Sequence, residues 1–173
     1  DLMIIGLVIG ILVLYFRNNK KEGFQNIGEA NNNFNVDLVL KKNIDVFIVP
    51  RKPGQDGFVL QNQNDKNAVF VNKNRGGWEK MRLEHKNGGT YIISLKNGNV
   101  LQQSEDKNAR FENKNKQLWE KMKIIVRNNN LDDVYIQSLK KKHNGSYHNL
   151  QSENNARNAR FSNPNFGSWE RMR

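Results

Sequence analysis

A fourteen-residue motif written three times, a dozen short β-type runs and one uncharged apolar stretch predict an all-β fold. The expected form is a β-trefoil preceded by a single transmembrane α-helix. The helix is placed at residues 1–16, a polar tether at 17–34 and the trefoil at 35–173, with repeats at about 35–79, 80–120 and 121–173.

The apolar stretch comes first. Leu2 to Phe16 carries no charge, and Leu2, Ile4, Ile5, Leu14 and Phe16 are among its large side chains. As a helix rising about 1.5 Å per residue it spans roughly 22 Å, against a hydrocarbon core of roughly 30 Å. A buried core helix and a cleaved signal peptide are the alternatives. The polar stretch that follows disfavours the first. The second requires bases ahead of the apolar run, whereas Arg17, Lys20 and Lys21 follow it. The same bases favour a cytosolic location for everything after them, and they stand where lipid head groups lie. The sequon Asn144-Gly145-Ser146 would be used only in the opposite orientation. Gly6 and Gly10 form a GxxxG pair, a route to self-association of the helix. Residues 17–34 have no periodicity and read as a tether reaching about 60 Å when extended.

The motif A-x-F-x-N-x-N-x3-W-E-[KR]-M then begins at Ala68, Ala109 and Ala159 with identical internal spacing. It places Phe70, Phe111 and Phe161, then Trp78, Trp119 and Trp169, then Met81, Met122 and Met172 at equivalent positions. Upstream of each copy lie two more β-type runs. One holds Phe47, Tyr91 or Tyr135, and the other holds Leu60, Leu101 or Leu150. A further strand follows each Trp-Glu, and Val36–Leu40 supplies its equivalent in the first repeat. Four strands in each of three units fit a six-strand barrel capped by three hairpins. A propeller needs at least four blades, and a solenoid needs distinct capping repeats. The Phe, Leu, Tyr/Phe and Met triplets are expected to form core layers, one residue per repeat. The Trp triplet is expected against the barrel with each indole N–H on a carbonyl. The paired asparagines fall in turns, where Asn caps the backbone.

The net charge is +11. All of it falls on residues 35–173, because Arg17, Lys20 and Lys21 are balanced by Asp1, Glu22 and Glu29. Such a surface suits an anionic partner: lipid head groups, an acidic protein or nucleic acid. A solvated, self-repelling surface is the plain alternative. The absence of cysteine excludes disulfides, zinc–thiolate sites and thiol nucleophiles. Twenty-nine asparagines fit an AT-rich genome, as in many large DNA viruses.

The W-E-[KR]-M closure after A-x-F resembles the fascin-like branch of β-trefoil proteins, whose repeats end in Trp-Glu and a large apolar residue. The resemblance covers about residues 36–173 and implies the fold more than any one activity. Fascins cross-link actin with four tandem trefoils, so one trefoil implies bundling only if the helix gathers several copies. Ricin-type lectin trefoils carry Gln-x-Trp in each repeat. Here Gln117-Leu118-Trp119 matches, while Gly76-Gly77-Trp78 and Gly167-Ser168-Trp169 do not.

No catalytic, cofactor or metal site is expected, and the chain is read as a non-enzyme. His85, His143 and His148 lack metal-site spacing, and no phosphate-loop, dinucleotide or nucleophile motif occurs. Glu79, Glu120 and Glu170 are kept apart by the threefold and are expected to accept hydrogen bonds. Gly88-Gly89 reads as a turn. The third repeat carries an insertion in which Lys140, Lys141, Lys142, His143 and Tyr147 form a candidate partner-binding loop, with a solvated hairpin loop as the alternative. The function expected is that of a membrane-anchored scaffold whose trefoil docks on a protein assembly. A minor capsid protein joining an internal viral membrane to its shell would have this layout. The alternative is a membrane-displayed ligand-binding module, lectin-like or actin-binding. Nucleic acid is the least favoured partner.

Overall fold

The computed structural model describes residues 45–55, 57–127, 130–141, 145–153 and 157–173. The expected transmembrane helix, the tether and the strand placed at 36–40 lie outside the described residues, as do Lys142 and His143.

Short runs rich in β-branched and aromatic residues become eleven strands. The first repeat contributes β1 (Asp45–Val46), β2 (Val59–Asn62) and β3 (Ala68–Asn72). The second contributes β4 (Met81–Lys86), β5 (Gly89–Ser94), β6 (Val100–Gln103) and β7 (Ala109–Asn113). The third contributes β8 (Met122–Arg127), β9 (Asn130–Ser138), β10 (Asn149–Ser152) and β11 (Ala159–Asn163). Strands β1, β4, β5, β8 and β9 pair antiparallel in that order to form the barrel wall. Hairpins β2–β3, β6–β7 and β10–β11 form the cap, each with a register shift at the same place: after Val59, after Val100 and after Asn149. A bulge there increases local twist, which lets three hairpins converge on one axis.

The wall closes through the C-terminal residues. Met172 bridges Pro50 on one side and Val134 on the other. Val134 and Met172 exchange two backbone bonds of 2.8 Å, and Val49 and Arg173 exchange bonds of 2.9 and 2.8 Å. Met172 therefore occupies, for the first repeat, the place Met81 and Met122 hold in the others. Beside it, Arg171 Nε donates to Asp133 Oδ1 at 2.7 Å, and this bond holds the carboxyl of buried Asp133 below its ordinary range.

A second ring runs through the cap. The Phe111 amide donates to the Lys66 carbonyl (2.8 Å), that of Phe161 to Lys107 (2.8 Å) and that of Phe70 to Arg157 (2.7 Å). Each repeat is thus bonded to the one before it, and the first to the third. Lys66, Lys107 and Arg157 present these carbonyls from left-handed backbone, with φ of 70°, 69° and 52°. Asx-type bonds support two of these turns: Asp65 Oδ1 accepts from the Asn67 amide at 3.1 Å and Asp106 Oδ1 from the Asn108 amide at 3.0 Å.

Hydrogen bonds from the Ser104 hydroxyl above all, then from Asn108, with the charge of Arg110 adding to them, hold the Asp106 carboxyl down at about 2. Its folded pKa lies below its ordinary 3.8, so its contribution to stability is complete above that value and is lost as pH falls through about 2. Asp106→Asn should therefore lose less stability than the parent between pH 4 and pH 2, as read from urea midpoints at each pH.

The core consists of triplets. Phe70, Phe111 and Phe161, Leu60, Leu101 and Leu150, and Met81, Met122 and Met172 are fully buried in one cluster, as expected. Each contributes about 1.5–3 kcal/mol on burial. The aromatic triplet is a correction. Ile48, Ile92 and Ile136 belong to the core cluster, while Phe47, Tyr91 and Tyr135, one residue earlier in each strand, do not. Strand side chains alternate between faces, so an inward isoleucine turns its neighbour outward. The aromatics pack outside the wall beneath the turn that carries Arg75, Lys116 or Phe166. Tyr91 and Tyr135 are still buried on that second face, at 2% and 4% exposure, and Phe47 is half-buried. Arg75 lies 5.7 Å over Phe47, and Phe166 meets Tyr135 edge-on at 5.0 Å. The turn between β4 and β5 is Asn87-Gly88, both with positive φ. Gly89 belongs to the strand instead, and a Cβ there would run into the Lys121 side chain.

Candidate partner-binding surface

The conserved spacing of the repeat motif is a hydrogen-bonded turn built three times. The first asparagine ties the hairpin together: Asn72, Asn113 and Asn163 donate to Gln61, Gln102 and Gln151 at 3.2, 3.1 and 2.8 Å. Its oxygen then accepts from the backbone amide of Asn74, Asn115 or Asn165, at 2.9, 2.7 and 2.9 Å. The glutamates close the turn. Glu79, Glu120 and Glu170, each only 3% exposed, accept from the amides of Gly76, Gln117 and Gly167 at 3.0, 3.1 and 3.1 Å. They are structural acceptors, as their spacing implied. Removing one strands an amide and empties a buried space, so Glu120→Ala should cost about 1–3 kcal/mol in chemical denaturation.

The tryptophans depart from expectation. Trp78 and Trp169 are 37% and 40% exposed, and Trp119 is half-buried, so none joins the core cluster. Each presents a ring face to a lysine of the next repeat. Lys96 Nζ stands 3.1 Å from the Trp78 centroid, Lys52 Nζ stands 3.5 Å from that of Trp169, and Lys140 Nζ lies over Trp119. Because Lys52 belongs to the first repeat and Trp169 to the third, these contacts also run around the ring. Lys52 is the most enclosed: it is buried, and burial lowers its pKa against the opposing pull of Glu153 and Glu170. A sequence signal marks these pairs. A lysine follows the barrel aromatic by five residues in every repeat, at Phe47–Lys52, Tyr91–Lys96 and Tyr135–Lys140. Pairs of this kind at exposed sites contribute about 0.5–1 kcal/mol. Lys96→Met should reduce stability by about that much and alter the emission of Trp78.

The insertion loop is therefore partly engaged with its own domain. Lys140 covers Trp119, and Lys141 lies 5.4 Å from the Tyr147 ring. His148 is buried, with Nδ1 2.9 Å from the Phe161 carbonyl and Nε2 3.1 Å from the Ser146 hydroxyl. Among the described candidates, Lys141 and Tyr147 remain outward-facing.

Open clefts interrupt the surface of the described residues. One, of about 380 Å³, lies between the β6–β7 hairpin and the turn below it, with Glu105, Glu112 and Trp119 on its walls. Another, of about 580 Å³, is lined by Phe47, Val49, Arg51, Arg75, Asp132 and Arg173. Arg51 Nη1 donates across it to the Asp132 carbonyl at 2.8 Å. Among the described residues no cluster of His, Asp and Glu side chains is placed to hold a metal ion.

No protein-family model matches this chain, and no curated protein sequence matches it. Solved structures do. The chain superposes on the designed threefold-symmetric protein ThreeFoil with a TM-score of 0.59 at 14% identity, covering 75% of this chain and 96% of that one. The BEL β-trefoil in an apo crystal form gives 0.58 at 17% identity, over 75% and 90% of the two chains. The GlcNAcα1-4Gal-releasing endo-β-galactosidase from Clostridium perfringens gives 0.60 at 13% identity. There the match covers 75% of this chain but 31% of the enzyme. Identities this low establish architecture alone, and the described domain is a β-trefoil.

Proposed function

We propose that the protein is a membrane-anchored architectural component. Residues 1–16 fix it in a bilayer, 17–34 give reach, and the trefoil docks on a protein assembly on the cytosolic side. The observation that carries this reading is the uncharged run Leu2–Phe16, followed at once by Arg17, Lys20 and Lys21, ahead of a separately folded domain. The domain's repeated polar residues support a docking role in place of chemistry. Its Asn, Gln and Glu triplets are hydrogen-bonded within the fold. What remains for a partner is a basic exterior, suited to an acidic protein surface. In a large DNA virus with an internal membrane, this is the layout of a minor capsid protein joining membrane to shell.

Cross-linking mass spectrometry on the native membrane or particle tests the proposal. Links from Lys114, Lys121 or Lys140–Lys142 to one repeating coat or scaffold protein are expected. Links only to diverse soluble proteins would overturn it.

A ligand-binding role is the second reading. It is favoured by the endo-β-galactosidase, where the matching region is one part of a longer chain. Against stacking of a sugar on the repeated tryptophans, each has a face covered by a lysine. A glycan array and actin cosedimentation with the full chain would decide. Saturable binding at ordinary salt favours this second reading.

A further inference from the structure

The three motif turns share their spacing but not their outward residues. The first reads Lys73-Asn74-Arg75 and the second Lys114-Asn115-Lys116, whereas the third reads Pro164-Asn165-Phe166. Arg75 and Lys116 are exposed, and so is Phe166, at 54%. The outward position therefore belongs to the turn itself and recurs in every repeat. A charged head there is hydrated, but a phenylalanine ring leaves apolar surface in water. Single exposed apolar side chains are ordinary on protein surfaces. This one differs in its company and in how it is held. Trp169, 40% exposed, stands three residues on, with only Gly167 and Ser168 between. The turn also carries restraints that the motif does not supply. Asn149 Nδ2 donates to the carbonyls of Asn165 at 2.6 Å and Pro164 at 3.3 Å. Val59 and Val100, at the same register shift in the other two hairpins, have no side-chain donor. The Tyr135 hydroxyl donates to the Phe166 carbonyl at 2.9 Å, while its ring meets the Phe166 ring edge-on. Pro164 fixes its own φ. Aromatic side chains set in place before contact lose little freedom on binding, which is the property of an interface anchor.

We propose that the third-repeat turn is the docking face of the domain, with Phe166 and Trp169 entering an apolar pocket on an acidic protein surface. The inference rests on the docking role proposed above and names its face. Charge selects the occupant. Residues 35–173 carry the whole net charge of +11, so a second copy is repelled and an acidic surface attracted. The carboxylates closest to the turn in the fold are engaged. Glu170 accepts from the Gly167 amide, and Asp133 accepts from Arg171. Arg51, whose amide donates to the Arg171 carbonyl at 2.8 Å, is exposed and adds positive charge on this side. Leu118 is as exposed as Phe166, at 55%. Its turn is flanked by Lys114 and Lys116, and Val100 stands where Asn149 ties the third turn.

Photo-cross-linking of the full-length protein on its native membrane or particle tests the face. The probe is p-benzoylphenylalanine (Bpa), which keeps an aromatic ring at Phe166→Bpa, while Arg75→Bpa and Lys116→Bpa report the other two turns. Phe166→Bpa should give one adduct with a repeating coat or scaffold protein, through an acidic peptide, at about ten times the yield of either control. Equal or higher yields from Arg75→Bpa or Lys116→Bpa would place docking elsewhere and overturn the proposal. An adduct chiefly with lipid, with a second copy or with residues 17–44 of the same chain would overturn it too. Phe166→Arg gives the third turn the residue that the first carries, so Tm should stay within about 3 °C of the parent's. Although it adds a positive charge, it should lower the lysine cross-links to the assembly about tenfold. Unchanged cross-links would sink this face and leave the docking role standing. Absence of those cross-links in the parent protein would sink both.

Discussion

Deleting Arg171, Met172 and Arg173 should abolish cooperative folding of the trefoil. Met172 is fully buried and bridges strands from the first and third repeats, so its loss opens the barrel wall. Removing a buried methionine side chain costs about 2–5 kcal/mol. The deletion also removes the backbone pairs Val134–Met172 and Val49–Arg173. It leaves Asp133, 4% exposed, without the guanidinium that Arg171 supplies. Leaving a buried acceptor without its donor costs about 1–3 kcal/mol. These losses together reach the range of a whole domain's stability, about 5–15 kcal/mol. Thermal unfolding followed by circular dichroism should show no sigmoidal transition in the shortened chain. A transition within a few degrees of the parent's would mean that the wall closes elsewhere.

The second large effect separates residues that the repeat motif treats alike. Phe111→Ala should cost about 3–5 kcal/mol, because its ring is wholly enclosed by the layers from all three repeats. Trp119→Ala removes a larger side chain but should cost less, about 1–2 kcal/mol. Its ring is half-buried and one face of it is covered by the Lys140 ammonium. In a domain of this size the phenylalanine change corresponds to a fall in Tm of about 10 °C. If the tryptophan change proved the costlier, the indole would be acting as a core residue.

Much of this architecture was legible because the repeat is strict. The A-x-F run, the Leu run and the Met that follows Trp-Glu each mark a strand, and each named residue is buried. The roles of Glu79, Glu120 and Glu170 followed from their separation around the threefold. The barrel aromatics stay out of the central cluster, although Tyr91 and Tyr135 are buried, for a reason of period. In Phe47-Ile48, Tyr91-Ile92 and Tyr135-Ile136 both residues suit a core, and adjacent strand positions cannot share a face. Size favoured the aromatic, whereas the structure places isoleucine inward. The tryptophans misled because a repeated large apolar residue reads as core. Their lysine partners lie in the following repeat, so no single copy of the motif shows the contact. The candidate loop was only half legible for the same reason, since Lys140 is one of those partners. The seam at Met172 was hidden by sequence distance, because Pro50 and Met172 carry no local pattern that pairs them.

The ring of amide bonds from Phe70, Phe111 and Phe161 to the preceding repeats has a mechanical meaning. A solenoid under tension frays from an end, one repeat at a time, because each repeat holds only its neighbours. A ring offers no end. Detaching any repeat here breaks two of the three linkages and exposes one residue of every core triplet at once. Stretched between two anchored bodies, such a domain keeps its length up to a threshold and then yields in a single step. It would serve as a fuse between them, not as a spring.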